Sequence, residues 1–417
     1  AAPGARPPLM PLDEALSRLL ANAQPRLPTE RVSTFEADGR VLAQDVVSGL
    51  TVPPRDNSSM DGYAVRAADC AAAGAILSVA QRIPAGTVGT PLAAGTAARI
   101  FTGAQIPEGA DAVVMQEDTA PLDAQGEQDA FGRVRIETPP TAGQWIRRAG
   151  EDVAAGDVVL QRGARLSPQA LGLAASVGMD TLEVSRRPRV ALLSTGDELV
   201  MPGEVAPQDM KPGAIYNSNR FFMRALLRRL GCEVTDLGIV PDKREATIEA
   251  LRQAAASNDL IVTTGGVSVG EEDHIKAAVQ WLGTLELWSL SMKPGKPFAY
   301  GRIGDAHVCG LPGNPVSSFL TFLLLVRPFL LTLQGATRVA PQSAPMRADF
   351  DWPKGDRRRE FLRARRNAAG GLDLFPNQSS GVLTSAVWGD GVIDTPAGQA
   401  FKAGDTVQFI SFASLLA

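Results

Sequence analysis

The spacing of hydrophobic residues predicts helices at the start of the chain and β-strands after them. Leucines recur at the interval of one helical face over 12–20, which favours an amphipathic helix. From about residue 65 to 150, short apolar runs alternate with Gly and Pro turns, a pattern typical of a small, mostly β domain. The predicted strands of this domain are 76–79, 98–101, 112–115 and 133–136. A further helix is expected over 166–177, with Pro168 in its first turn.

After residue 186 the pattern changes to strands and helices in regular alternation. Apolar strands are predicted at 190–193, 233–240 and from 260, and helices at 218–230, up to 256, and 273–282. This alternation predicts a parallel, three-layer α/β domain. Strands follow at 285–290, 298–300 and 306–309, and then a helix over 316–331 that is apolar nearly all round. Such a helix is expected in a core or a subunit interface.

The predicted fold class is therefore α/β plus β in a multidomain chain. Short strands, Gly turns and a basic run after about residue 335 indicate a C-terminal β-barrel-like domain. The expected division is a helical or linker domain (1–52 and 146–185), a small β domain (53–145), the α/β domain (186–333) and the C-terminal domain (334–417).

The stretch from Leu260 to His274 carries the strongest functional signal in the α/β domain. A β-branched run ends in Thr263, Thr264, Gly265 and Gly266, and open α/β sheets bind ligands at the carboxyl ends of their strands. A helix starting near Asp273 would direct its positive dipole end toward an anion there. The nearby acids Glu271, Glu272 and Asp273 suggest a bound metal ion or chemistry on that anion. The alternative is an ordinary glycine-rich turn with a solvated acidic cap.

Other strand ends are predicted to meet at the same edge of the sheet. They contribute Thr195-Gly196-Asp197-Glu198 and Asp242, so acids and glycine turns converge there. Lys293 and Lys296 follow, in a segment stiffened by Pro294 and Pro297. We expect these lysines to supply the positive charge that an anionic ligand needs.

Composition narrows the classes of function. The 417 residues carry a net charge of −4, with 45% hydrophobic and 21% charged residues, which argues against a general nucleic-acid binder. Cys70, Cys232 and Cys309 are far apart and form no zinc or disulfide pattern, so a reducing compartment is expected. No apolar run reaches the roughly 18 residues needed to cross a bilayer, and the longest is 319–326. The N-terminus lacks the apolar core of a secretory signal, so we expect no membrane and a cytoplasmic location.

Seven motifs occur in order along the chain and resemble the MoeA family, the molybdopterin molybdenumtransferases that include the E domain of gephyrin. The motifs are Asp56-Asn57-Ser58-Ser59-Met60-Asp61-Gly62-Tyr63-Ala64-Val65, Thr102-Gly103 with Pro107-Glu108-Gly109, Arg148-Ala149-Gly150-Glu151-Asp152, Ser194-Thr195-Gly196-Asp197-Glu198-Leu199, Gly265-Gly266-Val267-Ser268-Val269-Gly270, Lys293-Pro294-Gly295-Lys296-Pro297 and Gly310-Leu311-Pro312-Gly313-Asn314-Pro315.

The resemblance implies an enzyme that cleaves the phosphoanhydride of adenylylated molybdopterin with Mg²⁺, releases AMP and inserts molybdate. It also implies an elongated homodimer, whose cleft combines the small β domain of one subunit with the α/β and C-terminal domains of the other. Transient contact with a molybdopterin adenylyltransferase is a further implied partnership. Such a reaction fits glycine turns for the phosphates, acids for Mg²⁺ or water, and lysines that no carboxylate competes for.

The resemblance assigns roles to residues by position. The implied catalytic residues are Asp61, Thr102, Asp152, Glu198, Asp242 and Asp273, of which Asp242 and Asp273 are also the implied metal ligands. The implied substrate-binding residues are Thr195, Gly196, Gly265, Gly266, Ser268, Gly270, Pro312, Gly313, Asn314 and Pro315. The implied molybdate-binding residues are Lys293, Lys296, Pro297, Arg363 and Ser380. The chain has Asn377 where the family often has His, and His274 where Tyr is common, so His274 receives no role.

Two other classes of function remain open from the sequence. The same α/β fold and Gly-Gly-Val-Ser loop occur in molybdopterin adenylyltransferases and in CinA-like nucleotide-processing enzymes. Such enzymes need neither the Asp61 loop, nor the lysine segment, nor flanking β domains. A scaffold module like the gephyrin E domain is the other alternative, and the full set of acids in this chain favours catalysis.

Overall fold

The computed structural model describes residues 9–24, 26–123, 131–241, 243–266 and 274–416. The first helix, Leu12–Ala21, is found where the leucine spacing predicts it. Residues 29–47 then pack against residues 153–185 around a shared apolar core that includes Leu42, Leu166 and Val184. The elements of this region are the strands Thr29–Ser33, Thr181–Ser185, Val46–Val47 and Val158–Leu160, the helix Pro168–Ser176 and the 3₁₀ helix Thr34–Glu36.

A six-stranded sheet forms the small β region, and all four of the strands predicted there are present. In spatial order its strands are Ala112–Met115, Gly62–Val65, Thr96–Ile100, Ala75–Ile83, Arg133–Ile136 and Thr119–Leu122. Short 3₁₀ helices lie at Ala67–Cys70 and Gln116–Asp118. The strands Asn57–Ser58 and Ile146–Arg147 pair beside this sheet. Gly62 has no space for a side chain, because an added Cβ would lie 1.9 Å from the Val114 carbonyl oxygen.

The α/β region has the expected three layers. In spatial order its sheet contains Glu233–Val240, Arg189–Thr195, Leu260–Thr264, Ala306–Leu311, Pro297–Ile303 and Thr284–Ser289. Successive residues of one strand face opposite layers: Leu192 belongs to the core on one face and Leu193 to the core on the other. The covering helices are Ser218–Arg229, Arg244–Ser257 and His274–Leu282, together with the longer helix Pro315–Leu333.

The predicted parallel arrangement of the sheet does not extend to one strand. Pro297–Ile303 runs antiparallel to both of its neighbours. The other three strand pairings of this sheet are parallel. Only Gly304 and Asp305 separate this strand from Ala306–Leu311. A parallel connection needs a crossover of about a dozen residues or more, so this short link permits only a hairpin.

The apolar helix predicted over 316–331 is a core helix. It comprises Pro315–Thr321, a π-helical turn at Phe322–Val326 and Arg327–Leu333. Among the described residues this is the one segment long and apolar enough to cross a bilayer, with a mean hydropathy of 1.9, but 89% of it is buried inside the protein. Its burial accounts for its composition.

The C-terminal region is a second β unit that includes part of the lysine segment. In spatial order its sheet contains Met292–Lys293, Arg359–Arg366, Gly391–Thr395, Thr406–Ser411 and Ser343–Arg347, with Leu372–Leu374 paired to Arg359–Arg366. Two short helices, Leu383–Trp388 and Phe412–Leu416, complete it. Because Lys293 pairs in register with Glu360, the lysine segment is attached directly to the C-terminal sheet. The boundaries that the sequence analysis gives for the four domains remain predictions.

Candidate active site

A cleft of about 580 Å³ opens at the carboxyl edge of the α/β sheet. It follows the strands Arg189–Thr195, Leu260–Thr264 and Ala306–Leu311, which is where open α/β sheets bind ligands. Eight of the residues assigned from the sequence line this one cleft: Thr195, Glu198, Gly265, Pro297, Pro312, Gly313, Asn314 and Pro315. The structure therefore brings together segments that are far apart in sequence.

Glycines shape the floor of the cleft because larger residues do not fit its backbone. Gly265 and Gly266 have φ angles of 87° and 69°, a region that L-residues with a Cβ rarely adopt. A Cβ on Gly266 would also lie 2.8 Å from the Ile275 side chain and 3.1 Å from Thr195 Oγ1. The Gly265 N–H donates to the Leu311 carbonyl at 3.1 Å, which holds this turn against the next strand.

Two helices begin at the cleft. The helix Ser218–Arg229 is capped by Asn217, whose Oδ1 accepts from the Arg220 N–H at 3.2 Å. The helix that starts at Pro315 follows Asn314 directly. Helix amino ends carry unpaired N–H groups and a partial positive charge, so the two together favour an anionic group in the cleft.

Sequence reasoning missed the segment that caps the first of these helices. Tyr216, Asn217, Ser218 and Asn219 all line the cleft, and Asn219 Nδ2 donates to the Gly313 carbonyl at 2.7 Å. An Asn directly before a predicted helix is an N-cap signal and could have identified the segment. Asn217 Nδ2 is buried and finds no partner among the residues that the structure describes, which leaves a donor available at the cleft wall.

Four assigned residues cannot be placed. Asp242, Ser268, Gly270 and Asp273 lie outside the described residues. In the part of the chain that is described, no group of three His, Cys, Asp or Glu side chains is gathered as a metal site. The exposed Glu198 is the assigned carboxylate that does line the cleft. The expected Mg²⁺ site therefore stays a prediction that rests on Asp242 and Asp273.

Asp61 and Thr102 lie together in the small β region. The Thr102 N–H and hydroxyl both donate to Asp61 Oδ1 at 2.8 Å. The backbone N–H of Thr102 contributes most to lowering the pKa of the Asp61 carboxyl, and the Thr102 hydroxyl contributes next, because both bonds favour the charged form. Asp61 is solvent-exposed. The pair therefore presents a well-fixed, ionised carboxylate on the surface.

Asp152 lies in a loop next to the β region and away from any described side-chain partner. Its backbone N–H donates to the Val52 carbonyl at 3.2 Å, and the residue is exposed. In the same loop, Arg148 forms a 2.7 Å ion pair with Asp56. Among the described residues no hydrogen bond or ion pair joins Asp61, Thr102 or Asp152 to the cleft.

The two lysines of the proline-rich segment differ in their surroundings. Lys293 Nζ lies 3.2 Å from Glu360 Oε1 and 3.3 Å from Asp356 Oδ2. Lys296 is exposed, and its ammonium has no ion pair among the described residues. The expectation that no carboxylate competes for these lysines is therefore wrong for Lys293, because its neighbours come from a segment more than sixty residues later. For Lys296 the expectation agrees with the structure, since no carboxylate among the described residues forms an ion pair with it.

Arg363 is a buried cation with neutral partners. It is 1% exposed, and its guanidinium donates to the Ser385 hydroxyl at 3.0 Å and to the carbonyls of Phe361 and Ser379 at 3.0 and 3.2 Å. Burial lowers the pKa of Arg363 to about 10. A buried charge is costly without a counter-charge, so this side chain is suited to an anion.

Ser380 connects the Arg363 region to the cleft. Asn314 Nδ2 donates to Ser380 Oγ at 3.1 Å, and the Val316 N–H donates to the Ser380 carbonyl at 3.0 Å. Gln378, which sequence reasoning did not select, holds the loop to the strand through bonds with the Arg363 N–H and carbonyl at 2.8 and 3.0 Å. The C-terminal domain thus contributes one wall of the site.

Comparison with known proteins agrees with this arrangement over almost the whole chain. Three family models match: the MoeA N-terminal region (domains I and II) at 10–178, a probable molybdopterin binding domain at 191–332, and the MoeA C-terminal region (domain IV) at 345–412. The chain is 44% identical to the molybdopterin molybdenumtransferase of Haemophilus influenzae over 328 residues, 78% of each protein. It is 38% identical to that of Synechococcus elongatus over 403 residues, 94% of this chain and 96% of the other.

The chain belongs to the molybdopterin molybdenumtransferase family. Its fold agrees with this membership: a crystal structure of the molybdopterin biosynthesis MoeA protein from Pyrococcus horikoshii superimposes with a TM-score of 0.80 at 30% identity, covering 97% of this chain and all of the other. The resemblance found in the sequence motifs is thereby confirmed, as are the fold class and the assignment to the transferases of molybdenum cofactor biosynthesis.

Family membership also argues against one of the alternatives that the sequence left open, an enzyme built on the α/β domain alone. A molybdopterin adenylyltransferase or a CinA-like enzyme would account for the α/β region alone. In this chain, MoeA family models also match the regions before and after the α/β region. Those regions carry Asp61, Thr102 and Arg363, which no account based on the α/β domain alone would use.

Proposed function

We propose that the protein inserts molybdate into adenylylated molybdopterin, cleaving the phosphoanhydride and releasing AMP. The observation that carries this proposal is the cleft at the α/β sheet edge, where glycine turns and two helix amino ends meet. Its volume of about 580 Å³ lies within the range of small-molecule sites. The names of the relatives support the same chemistry.

In this proposal the phosphate groups of the substrate bind where the helices begin. On one side, donors are offered by the N–H groups at Ser218 and Asn219 and by Asn217 Nδ2, which has no partner among the described residues. The start of the Pro315 helix offers its positive end on the other. Such donors recognise phosphate without a formal charge, which suits a protein whose net charge is −4.

Molybdate would bind at the C-terminal wall of the cleft. Lys296 is an exposed cation beside Pro297, which lines the cleft. Arg363 is a buried cation whose bonds go to neutral groups, and Ser380 lies between its strand and Asn314. A dianion placed between these side chains would supply the counter-charge that Arg363 lacks among the described residues.

The remaining parts of the proposal concern Mg²⁺, the second subunit and the supply of substrate. Asp242 and Asp273 would hold Mg²⁺, whose chemistry is to neutralise phosphate charge. Asp61, Thr102 and Asp152 would act on the substrate from the partner of a homodimer, because no contact among the described residues joins them to the cleft of their own chain. A molybdopterin adenylyltransferase would supply the adenylylated substrate, and the cytoplasm is the expected location.

The direct test is a reaction of purified protein with adenylylated molybdopterin, Mg²⁺ and molybdate. We expect AMP release together with molybdenum bound to the pterin product, both dependent on the protein. A mixture that lacks molybdate is the control for insertion. If the protein instead forms adenylylated molybdopterin from molybdopterin and ATP and releases no AMP from it, the proposal is wrong and an adenylyltransferase function replaces it.

A further inference from the structure

Lys293 is held by two carboxylates of the C-terminal domain. Its Nζ lies 3.2 Å from Glu360 Oε1 and 3.3 Å from Asp356 Oδ2, and its side chain is 41% exposed. A lysine ammonium has three N–H donors. With two of them directed at carboxylates, one remains for another acceptor on the exposed side.

The carboxylates are themselves fixed in place. Glu360 is 2% exposed, and its Oε2 accepts from Trp352 Nε1 and from the Asp356 N–H, both at 3.0 Å. This leaves Oε1 for Lys293. Asp356 accepts from Arg358 Nε and NH2 at 3.0 and 3.1 Å, and these bonds to Arg358 contribute most to lowering the Asp356 pKa. Both acceptors of the lysine are therefore rigid before any ligand arrives.

The charges of this group balance. Lys293 and Arg358 contribute two positive charges, and Asp356 and Glu360 contribute two negative charges. Lys293 thus adds no net positive charge to the site, whereas the exposed Lys296 has no such partner among the described residues. If Lys293 takes part in oxyanion binding, the direction of its remaining N–H matters more than its charge.

We propose that Glu360, assisted by Asp356, is a positioning residue that holds Lys293 with one N–H directed at the oxyanion substrate. This inference rests on the proposed function and names a residue that the sequence motifs do not assign. The competing explanation is a structural one, in which the ion pair only attaches the lysine segment to the Arg359–Arg366 strand. Both explanations predict some loss of stability, so the test must measure the lysine itself.

The first measurement does not depend on enzymatic activity. Limited acetylation of the full-length protein with acetic anhydride, followed by peptide mass spectrometry, gives the modification rates of Lys293 and Lys296. In the starting protein, which carries no substitution, we expect Lys293 to be acetylated more slowly than Lys296. Glu360→Gln should raise the rate at Lys293 several-fold and leave Lys296 unchanged. Equal rates in the starting protein, or no response of Lys293 to Glu360→Gln, would overturn the positioning role.

The second measurement separates molybdate use from pterin use. Glu360→Gln should raise the apparent KM for molybdate by about tenfold, which corresponds to about 1.4 kcal/mol, with kcat at saturating molybdate and binding of adenylylated molybdopterin unchanged. In a Lys293→Ala background, Glu360→Gln should add no further change. A similar rise in that background, or a lower molybdate requirement, would show that Glu360 does not act through Lys293.

Two further variants keep these experiments interpretable. Trp352→Phe removes one hydrogen bond to Glu360 Oε2, while the bond from the Asp356 N–H and the contact of Oε1 with Lys293 remain. Its molybdate requirement should therefore change much less than that of Glu360→Gln. If Glu360→Gln does not fold, Asp356→Asn carries the same test at a more accessible carboxylate, 19% exposed against 2%. Failure of the proposed function would appear as no AMP release by the starting protein, whereas the acetylation rates would still test whether Glu360 holds Lys293.

Discussion

The cleft of the α/β region and the Asp61 loop of the β region are built in different ways. Cleft residues from distant segments bond to one another, as Asn219 does with Gly313 and Asn314 with Ser380. Among the described residues, the Asp61 carboxylate accepts hydrogen bonds from Thr102 only, and the residue is exposed to solvent. The first region is a shaped binding surface, and the second is a fixed carboxylate with no described ligand-binding surface around it. Residues assigned to one reaction therefore lie in two places on one chain.

A two-fold dimer would reconcile this separation. In an isologous dimer each subunit presents the same surfaces to the other, so the Asp61 loop of one copy can complete the cleft of its partner. The two regions would then differ in what they contribute: the cleft would supply affinity, and the Asp61 loop would supply reactivity.

The largest expected effect is a loss of turnover when the Asp61 loop is changed. Asp61→Asn removes the charge and keeps the side-chain size, and we expect AMP release to fall about 100-fold or more, as when a positioned acid or base is lost. Binding of adenylylated molybdopterin to the cleft should change little. Asp56→Asn is the control, because Asp56 is an acid of the same loop that pairs with Arg148. An equal loss in both variants would mean that the loop, and not the Asp61 carboxylate, is required.

A smaller effect, on the free energy of unfolding, is expected when the glycine turn of the cleft is changed. Gly266→Ala forces a Cβ onto a φ of 69° and to within 2.8 Å of Ile275, and overpacking of this kind costs about 1–3 kcal/mol in addition to backbone strain. Gly304→Ala is the matched control, since Gly304 has a φ of 58° with open space around it. Urea unfolding should show the greater loss for Gly266→Ala. Equal losses would contradict the close packing of the cleft floor.

The smallest expected effect is a pH dependence of stability in the α/β region. Burial lowers the pKa of His307 from 6.5 to about 4, and Tyr300 Oη lies 2.9 Å from its Nδ1. Because the folded pKa is below the unfolded one, the unfolded state takes up the proton first, and stability falls as pH drops from about 6.5 toward about 4. Between about pH 7 and about pH 5.5 the loss should be about 1 kcal/mol. Unfolding of His307→Gln should lack this part of the pH dependence, and an unchanged slope would contradict it.

Local patterns were enough to predict most of the architecture. The strand Glu233–Val240 is found at its predicted bounds, and the apolar helix begins within one residue of its predicted start. The strand Pro297–Ile303 was predicted over 298–300, but its antiparallel direction was not, because three apolar residues after a proline carry no information on direction.

The site was predicted less completely because its contacts are long-range. The carboxylates beside Lys293 follow it by more than sixty residues, and nothing in the lysine segment indicates them. Asn217 and Asn219 were missed as cleft residues because an N-cap signal marks the start of a helix but does not show that this start lies at the sheet edge. Seven motifs identified the family because they combine glycines with an uncommon backbone conformation, such as Gly265, with charged residues such as Asp61.

The central claim is that one active cleft takes residues from two copies of the chain, and subunit mixing tests it directly. Asp61→Ala and Glu198→Ala should each be inactive alone, since Asp61 and Glu198 lie in the two separate regions. After subunit exchange, half of the dimers are mixed and each has one intact cleft, so about a quarter of the starting activity should return. No recovery, despite demonstrated exchange of subunits, would contradict the claim and place the whole site within one chain.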